Sequence, residues 1–358
     1  MQKYILKRTL LIIPTLLIIM LINFAIIQTA PGGPVEQILA QINNHQSTTN
    51  IGGIDSTILN NPNTNNFKYT GSQGVDEEFI KKLEQTYALD KSATQRFLVM
   101  LKNYLTFNFG TSFYQDKTVI SLILEKLPVS ISLGLFSTIL VYLISIPLGI
   151  KKAVRDGSKF DLYSSSIIII AYAIPAFLFA ILLIILFASG NFLEIFPLRG
   201  LTSENFHQLN LWQKILDYLH HLVLPITAMT IGGFASLTFL VKNSFLEEIK
   251  KQYVITAYAK GLNEKKTLFN HIFRNAMLII IAGLPSAIIA IFFTSSMLIE
   301  IIFSLDGIGL LGYEAAINRD YPIIFSSLYI FTLIGLITSI ISDISYNLVD
   351  KRINFEKN

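Results

Sequence analysis

The amino-acid sequence predicts an all-α polytopic membrane protein with six transmembrane helices. Of its 358 residues, 52% are hydrophobic and only 15% are charged, which is not the composition of a soluble globular domain. Six apolar runs without charged side chains each come near or exceed the ~20 residues that a helix needs to cross the hydrocarbon core. The runs cover residues 9–29, 129–150, 162–188, 222–241, 276–299 and 323–342.

The placement of the basic residues predicts the orientation of these spans. Lys and Arg cluster before the first span, between the second and third, and between the fourth and fifth, where seven lie from Lys242 to Arg274. The connection after the third span carries only Arg199 and Lys214, and the one after the fifth only Arg319. By the positive-inside rule, both termini are expected in the cytoplasm.

The spans divide the chain into four predicted parts. Residues 1–29 form the N-terminal segment and first span, 30–128 an extracytoplasmic loop, 129–349 a five-helix core, and 350–358 a cytoplasmic tail. Within the long loop, residues 41–74 are a polar insertion rich in Asn, Thr, Ser and Gly, which cannot bury enough apolar surface to fold alone. Helical spacing resumes after it in a predicted amphipathic helix, with Phe97, Leu98, Leu101, Tyr104 and Leu105.

The apolar spans are interrupted late in the chain by a long charged segment, residues 244–275, within a predicted loop 242–275. Its sequence predicts two helices joined by a glycine turn. Ser244 with Glu247 reads as a capping box that opens the first helix. Gly261 can take the left-handed conformation that ends it, and Asn263 can cap the second. Apolar residues of the second helix recur at helical spacing, namely Leu268, Phe269, Ile272 and Phe273.

The sequence TAYAKGL followed by HIFRNA in this loop resembles the cytoplasmic EAA loop of importer-type ABC permeases, in the dipeptide and oligopeptide branch. Two positions depart from the general pattern, because Thr256 stands where the motif has its acidic residue and Arg274 near where many relatives have proline. The resemblance implies a loop that docks on a cytoplasmic ATPase, although any two amphipathic helices joined by glycine share the outline. The implied coupling residues are Thr256, Ala257, Ala259, Lys260, Gly261, Leu262, Arg274 and Asn275.

Two further segments strengthen the resemblance. An E-x-x-F-x-x-x-G-x-G pattern and an RDYP segment are similar to those of the same family, and they are candidates for a pathway or extracytoplasmic motif. Their residues are Glu300, Phe303, Gly307, Gly309, Arg319, Asp320, Tyr321 and Pro322. The polar insertion, together with APGGPV, IPLGIKKAV and FPLRG, is most similar to the Yej branch of the family.

What the resemblance implies is a type I ABC importer permease of the bacterial inner membrane. Such a permease would import oligopeptides, and in this branch also the peptide-nucleotide antibiotic microcin C. It would pair with a second, homologous permease, with cytoplasmic ABC ATPase domains that hold ATP and Mg, and with a periplasmic peptide-binding protein. This chain would be embedded in membrane lipid and would have no catalytic residues, no cofactor or metal and no nucleic-acid partner. No G-x-x-x-x-G-K-[ST] P-loop occurs in its sequence.

Two other classes of protein compete with this interpretation. An ion-coupled secondary transporter of peptides or other small solutes would also explain six spans. It would usually carry ionisable residues at mid-membrane, and the centres of these spans have none. An integral membrane enzyme would need a cluster of catalytic or metal-ligating side chains at one depth, whereas the spans offer scattered Ser and Thr.

The predicted orientation is testable because the chain contains no cysteine. We expect a cysteine replacing Ser72, in the long loop, to react with an impermeant thiol reagent in cells whose outer membrane has been permeabilised. A cysteine replacing Ser158, between the second and third spans, should react only after the inner membrane is opened. The reverse labelling pattern would refute the topology.

Overall fold

The computed structural model describes residues 2–29, 92–112, 114–115, 117–190, 192–293 and 297–349. These residues are mostly helical, which confirms the predicted all-α fold class. The polar insertion 41–74 and the tail 350–358 lie outside them.

Twelve α-helices are labelled here in chain order within the described ranges. They are α1 Gln2–Thr29, α2 Ala93–Leu105, α3 Val119–Val154, α4 Lys159–Ala173, α5 Ala176–Phe187, α6 Leu211–Ile249, α7 Gln252–Ala259, α8 Glu264–Thr267, α9 Phe273–Phe293, α10 Met297–Phe303, α11 Ile308–Ile317 and α12 Tyr321–Val349. A π-helix, Leu268–Ile272, joins α8 to α9 without a break, and a 3-10 turn covers Phe206–Gln208.

Five of the described helices are long and apolar enough to cross a membrane, namely α1, α3, α6, α12 and the continuous helix from α8 into α9. The predicted third span is instead the pair α4 and α5, whose axes differ by 98°. Its break lies at Ile174, which is extended with ψ of 120°, and Pro175. A residue before proline is driven out of the helical region by clash with the proline ring, so the helix ends there. The membrane helices therefore number six only if this bent pair counts as one span.

The described residues fall into two compact units, and each is described by itself. The first unit takes its residues from Met1–Leu10, Ser121–Asn318 and Phe331–Asn358. Its central element is α6, which contacts α4, α5, α9 and α10. Two buried clusters line α6, one around Leu222, Leu224 and Ala228 and the other around Val241 and Phe245.

The second unit takes its residues from Leu11–Ile120 and Arg319–Ile330. The predicted amphipathic helix is present in it as α2, and a capping box between Ser92 and Gln95 opens this helix. Three aromatic side chains meet beside it: Tyr104 contacts Phe109 with ring centroids 5.0 Å apart and Tyr329 at 5.3 Å. Edge-to-face packing of this kind holds the start of α12 against α2.

An ion pair in the first unit joins the two ends of the chain. Arg8 on α1 pairs with Asp343 on α12, and it also donates a hydrogen bond of 2.9 Å to the hydroxyl of Ser339. A carboxylate near the end of a span is costly in lipid unless it is paired, and Arg8 supplies the countercharge.

Asp161, in the first turn of α4, lies between two lysines from other helices. Lys152 of α3 is fully buried, with Nζ 3.0 Å from one carboxylate oxygen, and Lys242 of α6 has Nζ 2.7 Å from the other. Lys152 also donates to the hydroxyls of Ser164 and Ser165, so its charge is fully coordinated. The carboxylate thus joins three helices at one end of the bundle.

We expect Asp161→Asn to destabilise the protein by about 3 to 5 kcal/mol, because it leaves the buried Lys152 charge without its counterion. Asp156→Asn is the matched control. Asp156 contacts the same Lys242 at 2.9 Å, but its side chain is 47% exposed, so its loss should cost less than about 1 kcal/mol. Thermal unfolding of the purified variants checks this, and equal midpoints for both would contradict a structural role for Asp161.

Candidate functional site

The loop between α6 and α9 has the predicted helix, glycine turn and helix. Gly261 follows α7 with φ of +82°, the left-handed conformation that ends a helix and that residues with a Cβ rarely adopt. Asn263 then caps α8, since its side-chain oxygen accepts a 2.9 Å hydrogen bond from the backbone N–H of Lys266. Both parts of the local prediction are confirmed.

The predicted capping box at Ser244 is wrong. Ser244 lies inside α6, and its hydroxyl donates a 2.7 Å hydrogen bond to the carbonyl of Ala276 on α9. A capping residue must leave the helical region, but here the neighbouring Phe245 is fully buried and keeps α6 helical to Ile249. Ser244 therefore fastens α6 to α9 rather than opening a helix.

A buried apolar cluster supports the loop from beneath. Phe245 of α6 contacts Phe273 of α9 with ring centroids 5.9 Å apart. The loop contributes to the same cluster through Val254 of α7 and Ile272 of the π-helix, both of which are almost completely buried. The loop is thus packed onto the ends of the two long helices that flank it.

Helix α7 carries apolar residues on its exposed side as well as on its buried side. Val254 and Ala257 are buried in the chain, Ala257 to 6% exposure. On the other face Ile255 is 64% and Tyr258 44% exposed, and Ala259 is also exposed. We call Ile255, Tyr258 and Ala259 the outer face of α7. Because α7 lies between the candidate spans and not within one, lipid does not account for this exposed apolar face, which is typical of a protein contact.

The structure divides the predicted coupling residues into two groups. Ala257 is turned into its own chain, so it does not present its methyl group outward as the sequence pattern suggests, and Leu262 is half-buried, with its N–H bonded to the carbonyl of Ala257 at 3.2 Å. The other predicted coupling residues are exposed, namely Thr256, Ala259, Lys260, Gly261, Arg274 and Asn275. Their role in coupling stays a prediction.

A polar cluster that sequence reasoning missed spans the corner between α6 and α7. Glu248, near the end of α6, accepts hydrogen bonds from Lys251 and, at 2.6 Å, from the hydroxyl of Tyr253. The side chain of Asn275, near the start of α9, lies close to both Glu248 and Tyr253. Burial and the hydrogen bond to Glu248 raise the pKa of Tyr253, and the bond to Glu248 raises the pKa of Lys251. Helices α6 and α7 are joined here by directional bonds.

Comparison with known sequences identifies the family. The sequence profile of the family described as "Binding-protein-dependent transport system inner membrane component" matches residues 145–355, more than half of the chain. The chain belongs to this family. The matched region contains α7, its glycine turn and both flanking helices.

Curated relatives match this chain along almost its whole length. The peptidoglycan transport system permease protein YejB of Agrobacterium fabrum is 56% identical, covering 100% of this chain and 99% of the relative. The inner membrane ABC transporter permease protein YejB of Escherichia coli O157:H7 is 54% identical, and the oligopeptide permease AppB of Bacillus subtilis is 34% identical. The predicted resemblance to ABC permeases of the Yej type is confirmed. Among solved structures, the inward-facing methionine transporter MetNI gives a TM-score of 0.48 at 17% identity, over 64% of this chain and 97% of that chain.

The E-x-x-F-x-x-x-G-x-G segment of the chain forms a turn around the buried carboxylate of Glu300. Glu300 is completely buried at α10, and its carboxylate accepts hydrogen bonds from the N–H of Leu310 at 2.7 Å and from the hydroxyl of Ser130 at 3.3 Å. The same hydroxyl accepts a 2.9 Å bond from the N–H of Ile308. Glu300 and Ser130 thereby satisfy first-turn amides of α11 that have no partner within their helix.

The two glycines of this motif make room for the carboxylate. A Cβ on Gly307 would lie 2.2 Å from a carboxylate oxygen of Glu300, and one on Gly309 would lie 3.1 Å from the other. Phe303 is buried beside them, and its carbonyl accepts a 2.9 Å bond from the N–H of Gly200. The spacing of Glu, Phe and Gly is thus explained by one packed turn.

The RDYP segment belongs to the second unit and is described separately. Asp320 is buried and accepts a 2.5 Å hydrogen bond from the hydroxyl of Ser112. Ser112 accepts in turn from the N–H groups of Tyr114 and Gln115. Arg319 has φ of +56°, while Tyr321 and Pro322 begin α12, where proline is tolerated because first-turn amides lack helical partners. These contacts give the segment a role in holding the turn before α3.

The described residues contain no group of three or more His, Asp or Glu side chains placed to hold a metal ion. The buried carboxylates Asp161, Glu300 and Asp320 are each hydrogen-bonded to groups that hold a turn or join helices.

We expect Gly307→Ala to destabilise the protein by about 1 to 3 kcal/mol, because its methyl group would overlap the Glu300 carboxylate. Gly312→Ala is the matched control within α11: a Cβ there meets nothing within 4 Å, and removing a helical glycine should stabilise by about 0.5 to 1 kcal/mol. Thermal unfolding midpoints of the two purified variants should move in opposite directions. Equal shifts would show that the carboxylate does not require the glycine.

Proposed function

We propose that this chain is a permease subunit of an ATP-driven ABC importer for oligopeptides, and that the loop from Lys242 to Asn275 docks on the ATPase through the outer face of α7. The observation that carries the proposal is the outer face of α7, an exposed apolar surface outside the candidate spans, on a helix that is packed firmly onto α6 and α9. Membership of a binding-protein-dependent transport family supports it. An ion-coupled transporter would have no need of such a face.

The proposed mechanism places no chemistry in this chain. ATP and Mg bind to a partner ATPase pair, which closes on binding ATP, and the movement reaches the spans through α7. A second, homologous permease completes the pathway, and a periplasmic binding protein delivers the peptide. In this arrangement both termini and the loop lie in the cytoplasm, as the distribution of Lys and Arg favours.

The proposed substrates share the chemistry of short peptides. Relatives carry the names peptidoglycan transport permease, oligopeptide transport permease and dipeptide transport permease. Cell-wall peptides, linear oligopeptides and peptide-nucleotides such as microcin C all present a peptide backbone that one pathway could accept. Oligopeptide transport recurs in the names of further relatives, so linear oligopeptides are the proposed substrates.

We expect Ala259→Glu to weaken the association of the permease with its ATPase at least about tenfold, because a charge buried in an apolar contact without a partner costs more than 1.4 kcal/mol. Gly261→Val should have a similar effect through backbone strain of about 1 to 2 kcal/mol and a redirected α8. The measurements are ATPase copurification and uptake of labelled tetra-alanine at equal membrane abundance. Both variants should still insert, because both positions lie outside the apolar spans predicted from sequence.

Gln252→Glu is the control for adding a negative charge to α7. Its carboxylate would lie in the first turn, where the helix dipole favours it, and about two helical turns away from Ala259 along the helix. It should retain the ATPase and the uptake of the unmodified chain. Normal ATPase retention in Ala259→Glu and Gly261→Val would overturn the docking assignment, whereas retention of the ATPase without uptake of tetra-alanine by the unmodified complex would overturn only the substrate assignment.

A further inference from the structure

We infer that Glu248 and Tyr253 are positioning residues that fix the angle of α7 against α6, so that movement of α7 reaches the spans. This inference rests on the proposed docking function and adds to it two residues, outside the outer face of α7, that bond to each other within this chain. They act by holding α7 in position. We call them the corner lock.

The geometry of the corner makes such a lock necessary. Helix α6 ends at Ile249, α7 begins at Gln252, and only Lys250 and Lys251 connect them. Lys251 is extended, with ψ of 149°, so the chain turns sharply between two helices that share no continuous backbone ladder. A change of a few degrees in the backbone dihedral angles of these two residues would reorient the whole of α7 relative to α6.

The lock bridges that corner with directional bonds. The Tyr253 hydroxyl reaches back from α7 to Glu248 on α6 over 2.6 Å, and Lys251 reaches the other carboxylate oxygen. The Glu248 side chain is only 12% exposed, so these charge-assisted bonds are partly shielded from competing water.

The apolar cluster beneath the loop does not replace the lock. Val254 packs α7 into the cluster formed by the flanking helices, but apolar burial is non-directional and permits one helix to roll on another. Hydrogen bonds weaken steeply away from linear geometry, so they resist rotation as well as separation. Docking on the ATPase requires only that α7 be exposed, whereas transmission of an ATPase movement to the spans requires that the angle between α7 and α6 be fixed. The lock supplies the second property.

The test separates these two properties in the complete transporter, reconstituted from the permease pair, the ATPase and the binding protein. Tyr253→Phe removes one oxygen atom, and Glu248→Ala removes the shared acceptor. Both variants should retain the ATPase at the level of the unmodified complex. Transport of labelled tetra-alanine per ATP hydrolysed should fall about tenfold for Glu248→Ala, since loss of a hydrogen bond to a charged group is worth about one factor of ten in an equilibrium.

Two comparisons make the result specific to the lock. Glu247→Ala removes the neighbouring carboxylate, whose side chain is 78% exposed and 3.8 Å from Lys251, and should leave the ratio of transport to hydrolysis unchanged. Glu248→Gln keeps an acceptor oxygen for Tyr253 and should restore part of the ratio lost in Glu248→Ala. The double variant Glu248→Ala with Tyr253→Phe should be no worse than Glu248→Ala alone, because both remove the same bond.

An unchanged ratio in both Tyr253→Phe and Glu248→Ala would overturn the lock. Equal losses in Glu247→Ala and Glu248→Ala would also overturn it, because the effect would then follow charge rather than the bonded geometry. Failure of the docking assignment looks different. In that case Ala259→Glu retains its ATPase, whatever the lock variants do.

Discussion

Buried carboxylates at helix ends hold this membrane protein together. Inside lipid, apolar side chains gain little by leaving hydrocarbon for one another, so packing alone gives helices weak reason to associate. Backbone amides at turns also need partners, because no water is available at depth. Asp161, Glu248, Glu300 and Asp320 each accept hydrogen bonds from a turn or from another helix. The loop depends for a fixed position on the two that bond to its own residues, Asp161 through Lys242 and Glu248 through Tyr253.

The sequence predicted what depends on local spacing. Apolar runs located the spans, and Gly261 and Asn263 located the turn of the loop. The 98° bend at Pro175 was not predictable from the apolar run 162–188, because proline interrupts the hydrogen-bond ladder of a helix but neighbouring helices determine the direction of the chain beyond it. Span count and helix ends were accordingly less accurate than helix existence.

The sequence could not predict contacts between distant residues. Ser130 and Glu300 are 170 positions apart, Ser112 and Asp320 are 208 apart, and no periodicity links either pair. Ser244 shows the opposite failure, since its local pattern matched a capping box while tertiary contacts kept it helical. The inward face of Ala257 was missed for a similar reason: a small residue suits a close contact equally well inside its own chain or across an interface.

The π-helix at Leu268–Ile272 has a consequence for the phase of the loop. Bonds from each residue to the fifth one before it accommodate one residue more per turn than an α-helix does, without disturbing the helices on either side. Were the same residues wound as α-helix, everything before them would rotate by about 100° relative to α9, the angle of one residue in a helix of 3.6 per turn. The single extra residue thus sets the rotational orientation of the turn at Gly261 about the axis of the span that follows.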